Sequence, residues 1–182
     1  MKRFGGGNVQ DKIIDKLERK EKQESFQRDR FFRFKLPEIH SRLTQVLLME
    51  KVIETENPTA VSELLLKGLK QALRSNEFDF KYFIAPLRSL VPRPNLLSLY
   101  VTQYILEVVL NDPSVIEVYG TDLDIYKKVN NVITQINQSF ERAEEEINRQ
   151  LSHSKSLVPG SRDYEIALDE LFRKKLGDPQ QV

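Results

Sequence analysis

A search for chemistry in this chain starts from its histidines, serines, carboxylates and cysteines, and the inventory is thin. There are two histidines, His40 and His153, and no cysteine. Without cysteine there is no disulfide, no thiolate nucleophile and no cysteine-ligated zinc. Glu38 and His40 are two apart and do not share a helix face. No Glu-x-x-His pair of the di-iron bundle type occurs. Ser152, Ser154, Ser156 and Ser161 lie near His153 and Asp163, but no Gly-x-Ser-x-Gly turn holds any of them as an exposed nucleophile. Glu141, Glu144 and Glu145 crowd together, and such a run reads as a solvated helix face. Gly5-Gly6-Gly7 lacks the Gly-Lys-Ser/Thr ending of a phosphate loop and no strand precedes it, so it reads as a flexible hinge. These residues point away from an enzyme, and neither a metal nor a cofactor is expected.

Two segments have binding chemistry. The first is basic and aromatic: Phe26, Phe31, Phe32 and Phe34 interleave with Arg28, Arg30, Arg33 and Lys35. Cations neutralise phosphates and rings stack on unpaired bases, so Arg28, Arg30, Phe31, Phe32, Arg33 and Lys35 form a candidate anion or nucleic-acid site. The same composition suits an acidic protein, an anionic membrane surface, or a connector whose rings enter the core. Residues 1–35 contain 11 Lys and Arg against 6 Asp and Glu, whereas the whole chain is at +1. The positive charge is therefore concentrated at the N-terminal end. A smaller candidate is the Pro-stiffened loop from Arg88 to Arg93, an anion site or a plain connector.

The second segment runs from Thr121 to Ser154 without Pro or Gly. Val129, Val132, Ile136, Phe140, Ala143, Ile147 and Leu151 recur at steps of three and four, one stripe on a helix of about 45 Å. The stripe suits either the chain's own core or a second chain. Ile136, Phe140, Ala143, Ile147 and Leu151 are the candidate partner-binding residues, with Asn130, Asn131, Gln135, Asn137 and Gln138 as amides able to set register.

The remaining elements must position these segments. Residues 9–35 read as a charged helix with a thin apolar line through Ile13, Ile14 and Leu17, exposed or stabilised by a partner. Pro37 is expected to reset the backbone, with a second helix carrying Ile39, Leu43, Val46, Leu47 and Met49 to about Glu54. Asn57-Pro58 is a helix start. The helix that follows has Gly68 on its apolar face, which implies close approach by a neighbour. Phe78, Phe80, Tyr82, Phe83 and Ile84 fit a strand or a helical turn equally. Asn95 precedes residues 96–110, apolar on most sides, which belong at the centre of the core. A strand and a helical turn fit 114–119, with Val115, Ile116 and Val118, equally. Ser161 caps a last helix, with Asp163 and Glu165 in its first turn, Lys174 and Lys175 in its last, and Gly177 and Pro179 beyond. Tyrosines 82, 100, 104, 119, 126 and 164 read as mostly on apolar faces, where core packing explains them.

The expected fold is mainly α: a bundle of five or six core helices, with a charged N-terminal helix and one long helix over about 121–153. The expected organisation is a basic, partly flexible arm (1–36), a helical domain (37–177) and a disordered tail (178–182). The longest apolar run, about fifteen residues, is short of the roughly twenty a membrane span needs. Residues 1–5 lack the apolar core of a signal peptide. A cytoplasmic location is the expectation. The leading functional expectation is a non-catalytic interaction protein that pairs with a protein partner or with itself through amphipathic helices; the alternative is a nucleic-acid-binding module using residues 26–35.

Overall fold

The computed structural model describes residues 7–75 and 85–179. Of the expected hinge Gly5-Gly6-Gly7, the last glycine opens α1 instead; Gly5 and Gly6, the aromatic run Phe78 to Ile84 and the last three residues of the tail lie outside the described residues, as does the side chain of Phe26. The described chain is mainly helical: α1 (Gly7–Met49), α2 (Pro58–Arg74), α3 (Ala85–Leu90), α4 (Leu96–Leu110), α5 (Asp122–Ser152) and α6 (Arg162–Leu176), with two short strands, β1 (Ile53–Glu54) and β2 (Glu117–Val118).

The largest departure from the sequence reading is α1. Its 43 residues form one helix, and Pro37 lies inside it. At 1.5 Å per residue the helix is about 65 Å long, longer than α5. A proline removes the hydrogen bond to the carbonyl four residues earlier, here Arg33, at a cost of about 3 kcal/mol in a helix interior. Arg33 and Pro37 are both exposed, so the freed carbonyl is on the wet side of the helix. On the other side, Phe31, Phe32, Leu36, Ile39, Leu43 and Leu47 are all buried. Burial of about 1.5–3 kcal/mol per large side chain on both sides of the proline holds the helix continuous across it. The helix then ends at Met49, earlier than Glu54, and Lys51 turns the chain at φ 53°.

That turn delivers β1, which pairs antiparallel with β2, Ile53 opposite Val118 and Glu54 opposite Glu117. Ile116 N–H donates to the Glu54 carbonyl at 2.8 Å and Tyr119 N–H to that of Val52 at 2.7 Å. The β-branched run at 115–118 is thus a strand edge rather than a helical turn.

Helices α2, α4, α5 and α6 start where local chemistry predicts. The side chains of Asn57, Asn95, Thr121 and Ser161 accept from Ala60, Ser98, Asp124 and Tyr164 backbone N–H groups respectively, each satisfying one of the donors a helix start leaves open. Thr121 and Asp124 complete a reciprocal capping box. Gly177 closes α6 at φ 85°.

The centre of the core is α4, as its composition implies; Leu99, Val101, Ile105, Leu106 and Val109 are buried. It packs on α2 and α5. The α2 contact is at backbone distance: a Cβ added to Gly68 would be 3.1 Å from the Tyr104 carbonyl oxygen, so the glycine marks a close helix crossing. Two polar residues tie α4 further. Ser98 Oγ donates to Asn130 Oδ1 on α5 at 2.9 Å, and Thr102 Oγ1 returns to the Ser98 carbonyl at 2.7 Å.

Candidate functional site

The stripe on α5 is interior. Ile136, Phe140, Ala143, Ile147 and Leu151 retain between 1% and 8% of their surface, and α1, α4 and α6 of the same chain pack against α5. The partner-binding surface read from the sequence is therefore not free. Its apolar area is already hidden by residues distant in sequence, with Phe31 and Phe172 on Phe140 at ring-centroid distances of 5.5 and 5.6 Å. Four of the five amides are engaged within the chain too. Asn130 accepts from Ser98, Gln135 donates to Asn131 at 3.3 Å, and Asn137 donates to Glu141 at 2.8 Å.

The basic-aromatic segment is likewise part of the body. Phe31 and Phe32 are buried, so neither ring can take a base on its face. Phe34 stacks on Phe172 at 5.5 Å. Arg30 is between α1, α5 and α6: its Nη1 is 3.4 Å from Glu144, its Nη2 is 3.8 Å from Glu165, and its Cζ is 5.0 Å from the Phe172 ring centroid. Arg28 lies over the Tyr100 ring at 5.9 Å. Lys35 pairs with Glu38 at 3.1 Å. Arg33 is exposed. The cluster ties three helices together, and its aromatic half is core.

Catalytic geometry fares no better. His40 Nε2 is 3.1 Å from Ser62 Oγ, a distance a serine nucleophile and its base would show. The same nitrogen is 2.7 Å from the Ser62 carbonyl oxygen. A carbonyl only accepts, so Nε2 carries the proton and cannot take one from the hydroxyl. The pair is a tie between α1 and α2. Ser154 and Ser156 bond each other at 3.2 Å on an exposed loop. Among the described residues no group of three or more His, Cys, Asp or Glu is arranged to hold a metal ion, and no helix is long and apolar enough to cross a membrane.

Two surface grooves flank Tyr119, which is half exposed rather than core. One, of about 630 Å³, has Leu48, Ile53, Glu54 and Pro58 in its walls; the other, of about 440 Å³, has Lys51, Lys127 and Lys128. Several of their ionisable groups have partners within the chain. Tyr119 donates to Glu54 at 2.6 Å, and this bond raises the phenol pKa. Lys128 pairs with Glu50. Asp124, held below the usual carboxylate range by the Thr121 backbone N–H and then its hydroxyl, serves the α5 cap.

The exposed feature with helical order is at the other end of α1. Every residue from Val9 to Arg19 is exposed. Val9, Ile13, Ile14 and Leu17 keep 63%, 54%, 51% and 54% of their surface. Burial on α1 starts only beyond this segment, reaching the core at Phe31. The signal was present in the sequence as a thin apolar line. It was outranked there by the longer stripe on α5, because periodicity measures how apolar a face is and not whether the chain itself covers it.

Fold and surface together define a mainly α bundle with an exposed amphipathic helical segment at the start of α1. Residues 98–177, from the first turn of α4 to the glycine that closes α6, are similar to a family described as a protein of unknown function (DUF507). Neither a curated protein nor a solved structure matches. The projecting part of α1 is outside the matched segment.

Proposed function

We propose that this chain is a non-catalytic interaction protein, an adaptor, scaffold or assembly subunit, and that its pairing surface is the projecting segment of α1. The observation that supports this is the exposure of four aliphatic side chains within nine residues of one helix. Scattered apolar residues are ordinary on a protein surface; a contiguous line of them on an exposed helical segment marks an interaction site. The mode is a helix laid against another apolar helical surface, with anchors at three- and four-residue spacing. The bundle serves as the rigid platform: the buried half of α1, clamped by α2 and α5, fixes the direction in which the free half points.

The described arm carries Asp11, Asp15 and Glu18 against Lys12, Lys16 and Arg19. It therefore has no net charge to draw it to a polyanion, and a protein surface is the better match. A photo-crosslinking residue placed at position 13 of the full chain in cells tests the reading, with position 158 as the control. Val158 is 66% exposed but isolated in a loop. Protein adducts at 13 well above those at 158 are expected. Equal yields at the two positions would mean that the arm is not a pairing surface.

A further inference from the structure

The arm's charges are sorted about its apolar line, and the sorting selects an occupant. At about 100° per residue, Val9, Ile13 and Leu17 drift steadily across one face, with Gln10 beside them and Ile14 at the far edge. Lys12 and Lys16 flank the Val9 edge. Asp11 and Glu18 flank the Ile14 edge. Asp15 and Arg19 are on the back. One shoulder of the line is thus basic and the other acidic, and all these residues are exposed.

When two identical helices pair side by side and parallel, a two-fold axis between them brings the clockwise shoulder of one against the counter-clockwise shoulder of the other. In this arm that places Lys12 and Lys16 of each copy beside Asp11 and Glu18 of its mate, the arrangement by which charges flanking a coiled-coil seam choose partner and orientation. Antiparallel pairing would put basic against basic and acidic against acidic. We propose that the exposed segment of α1 pairs with the same segment of a second copy of this chain, parallel and in register, through Val9, Ile13, Ile14 and Leu17. The proposal rests on the reading of the arm as a pairing surface and names its partner. Gln10, in the seam, sets the register, as a polar seam residue does at a cost in affinity.

The seam is short, and its few large side chains hide an area typical of weak, transient interfaces rather than obligate ones. The dimer is accordingly reversible, with a dissociation constant on the order of 10–100 µM. It also weakens with salt, because its shoulder charges are exposed. Two bundles joined at one end by their arms leave both bodies free to hold other things, which is what an assembly subunit requires.

The absence of cysteine makes the test clean. Gln10→Cys gives the full-length chain a single thiol, and the parallel register places two such thiols within disulfide reach. Sedimentation equilibrium of the unmodified chain across the micromolar range should show a monomer–dimer equilibrium. Oxidised Gln10→Cys should run as a covalent dimer. Lys12→Glu with Lys16→Glu should weaken association at least tenfold, and adding Asp11→Lys with Glu18→Lys should restore it. A mixture of Gln10→Cys with Leu17→Cys chains that cross-links, where Gln10→Cys alone does not, would establish an antiparallel pair and overturn the proposal. So would a dimer indifferent to Ile13→Asp with Leu17→Asp, which would use another face. A strict monomer whose position-13 probe still cross-links to a different protein would sink self-pairing and leave the arm as an interaction surface. A strict monomer without such adducts would sink both.

Discussion

The two ends of α1 are one helix with opposite fates. From Phe31 to Leu47 six large apolar side chains are buried, at least one per turn; from Val9 to Arg19 every residue is exposed. The backbone is the same in both, and it crosses a proline on the way. The difference is in what each end can bury. The C-terminal end is clamped by α2 and α5 and behaves as core. The N-terminal end has a few aliphatic residues, then a charged stretch, and from Val9 to Arg19 its side chains stay exposed. It stays helical because its first turn need not be nucleated: the clamped end has done so, and each added residue only propagates the helix. Asp15 and Arg19, four apart with the acid N-terminal, are spaced for a further few tenths of a kcal/mol. A helix can therefore be formed by its packing at one end and remain available at the other.

The clearest way to break this contrast is to damage the clamp. Phe140 is where α1, α5 and α6 meet, with Phe31 edge-on at 5.5 Å and Phe172 stacked at 5.6 Å. Phe140→Ala should cost about 3–5 kcal/mol, the range for a buried ring replaced by a cavity, read as a lower denaturant midpoint with little change in slope. A loss under about 1 kcal/mol would mean that the ring cluster is not the centre of the clamp. Next in size is Pro37. Since the helix is continuous despite it, Pro37→Ala should restore the Arg33 carbonyl's hydrogen bond and raise stability by about 1–3 kcal/mol. Equal or lower stability would show that the proline's fixed φ is required there and that the two ends are not one ordinary helix.

These two residues also mark what the sequence can and cannot disclose. Caps are local, and Asn57, Asn95, Thr121, Ser161 and Gly177 place helix ends from a few neighbouring residues. Gly68 disclosed a close crossing for the same reason: a missing side chain has a simple meaning. Pro37 misled because the rule for it counts a lost hydrogen bond and cannot see that the freed carbonyl faces water while Leu36 and Ile39 are buried beside it. The stripe through Phe140 was legible as a face that must be covered. That the cover is Phe31 and Phe172, distant in sequence, was not. The rings of Phe31 and Phe32 suited a nucleic-acid surface by composition, and only their packing shows them to be core. Tyr119 is the reverse case, an aromatic residue that reaches Glu54 on the surface. The strand β1 is two residues long, too short for any periodicity.

Acid should act on the body more gently. In the body, Glu146 is held below its usual pKa by the hydrogen bond and charge of Lys175, and Asp124 by the Thr121 cap. A carboxylate with a folded pKa below its unfolded value of about 4 contributes stability above that value and loses it as pH falls through the folded one. The denaturant midpoint should be flat from pH 7 to about 5 and then decline. Glu146→Gln should be the less stable protein at neutral pH, and the two curves should converge at the acid end. Parallel curves down to pH 2.5 would mean that the α5–α6 tie is not electrostatic.

The smallest expected effect discriminates best between the two ends. Ile13→Asp with Leu17→Asp puts two charges into the apolar line of the arm, a change that at Leu43 and Leu47 would bury unpaired carboxylates and unfold the bundle. Both arm side chains are already more than half exposed, so the global unfolding free energy of the monomer should move by no more than about 0.5 kcal/mol. The lower helix propensity of aspartate should show only as local fraying, with faster amide exchange confined to the projecting turns. The measurement belongs at low micromolar protein, below the concentration at which copies would pair. A loss of 2 kcal/mol or more there would mean that the arm folds back on the body and that its aliphatic line is core. A loss that appears only as concentration rises would instead be the signature of a surface covered by association, because a partner that binds the folded state alone stabilises it by mass action.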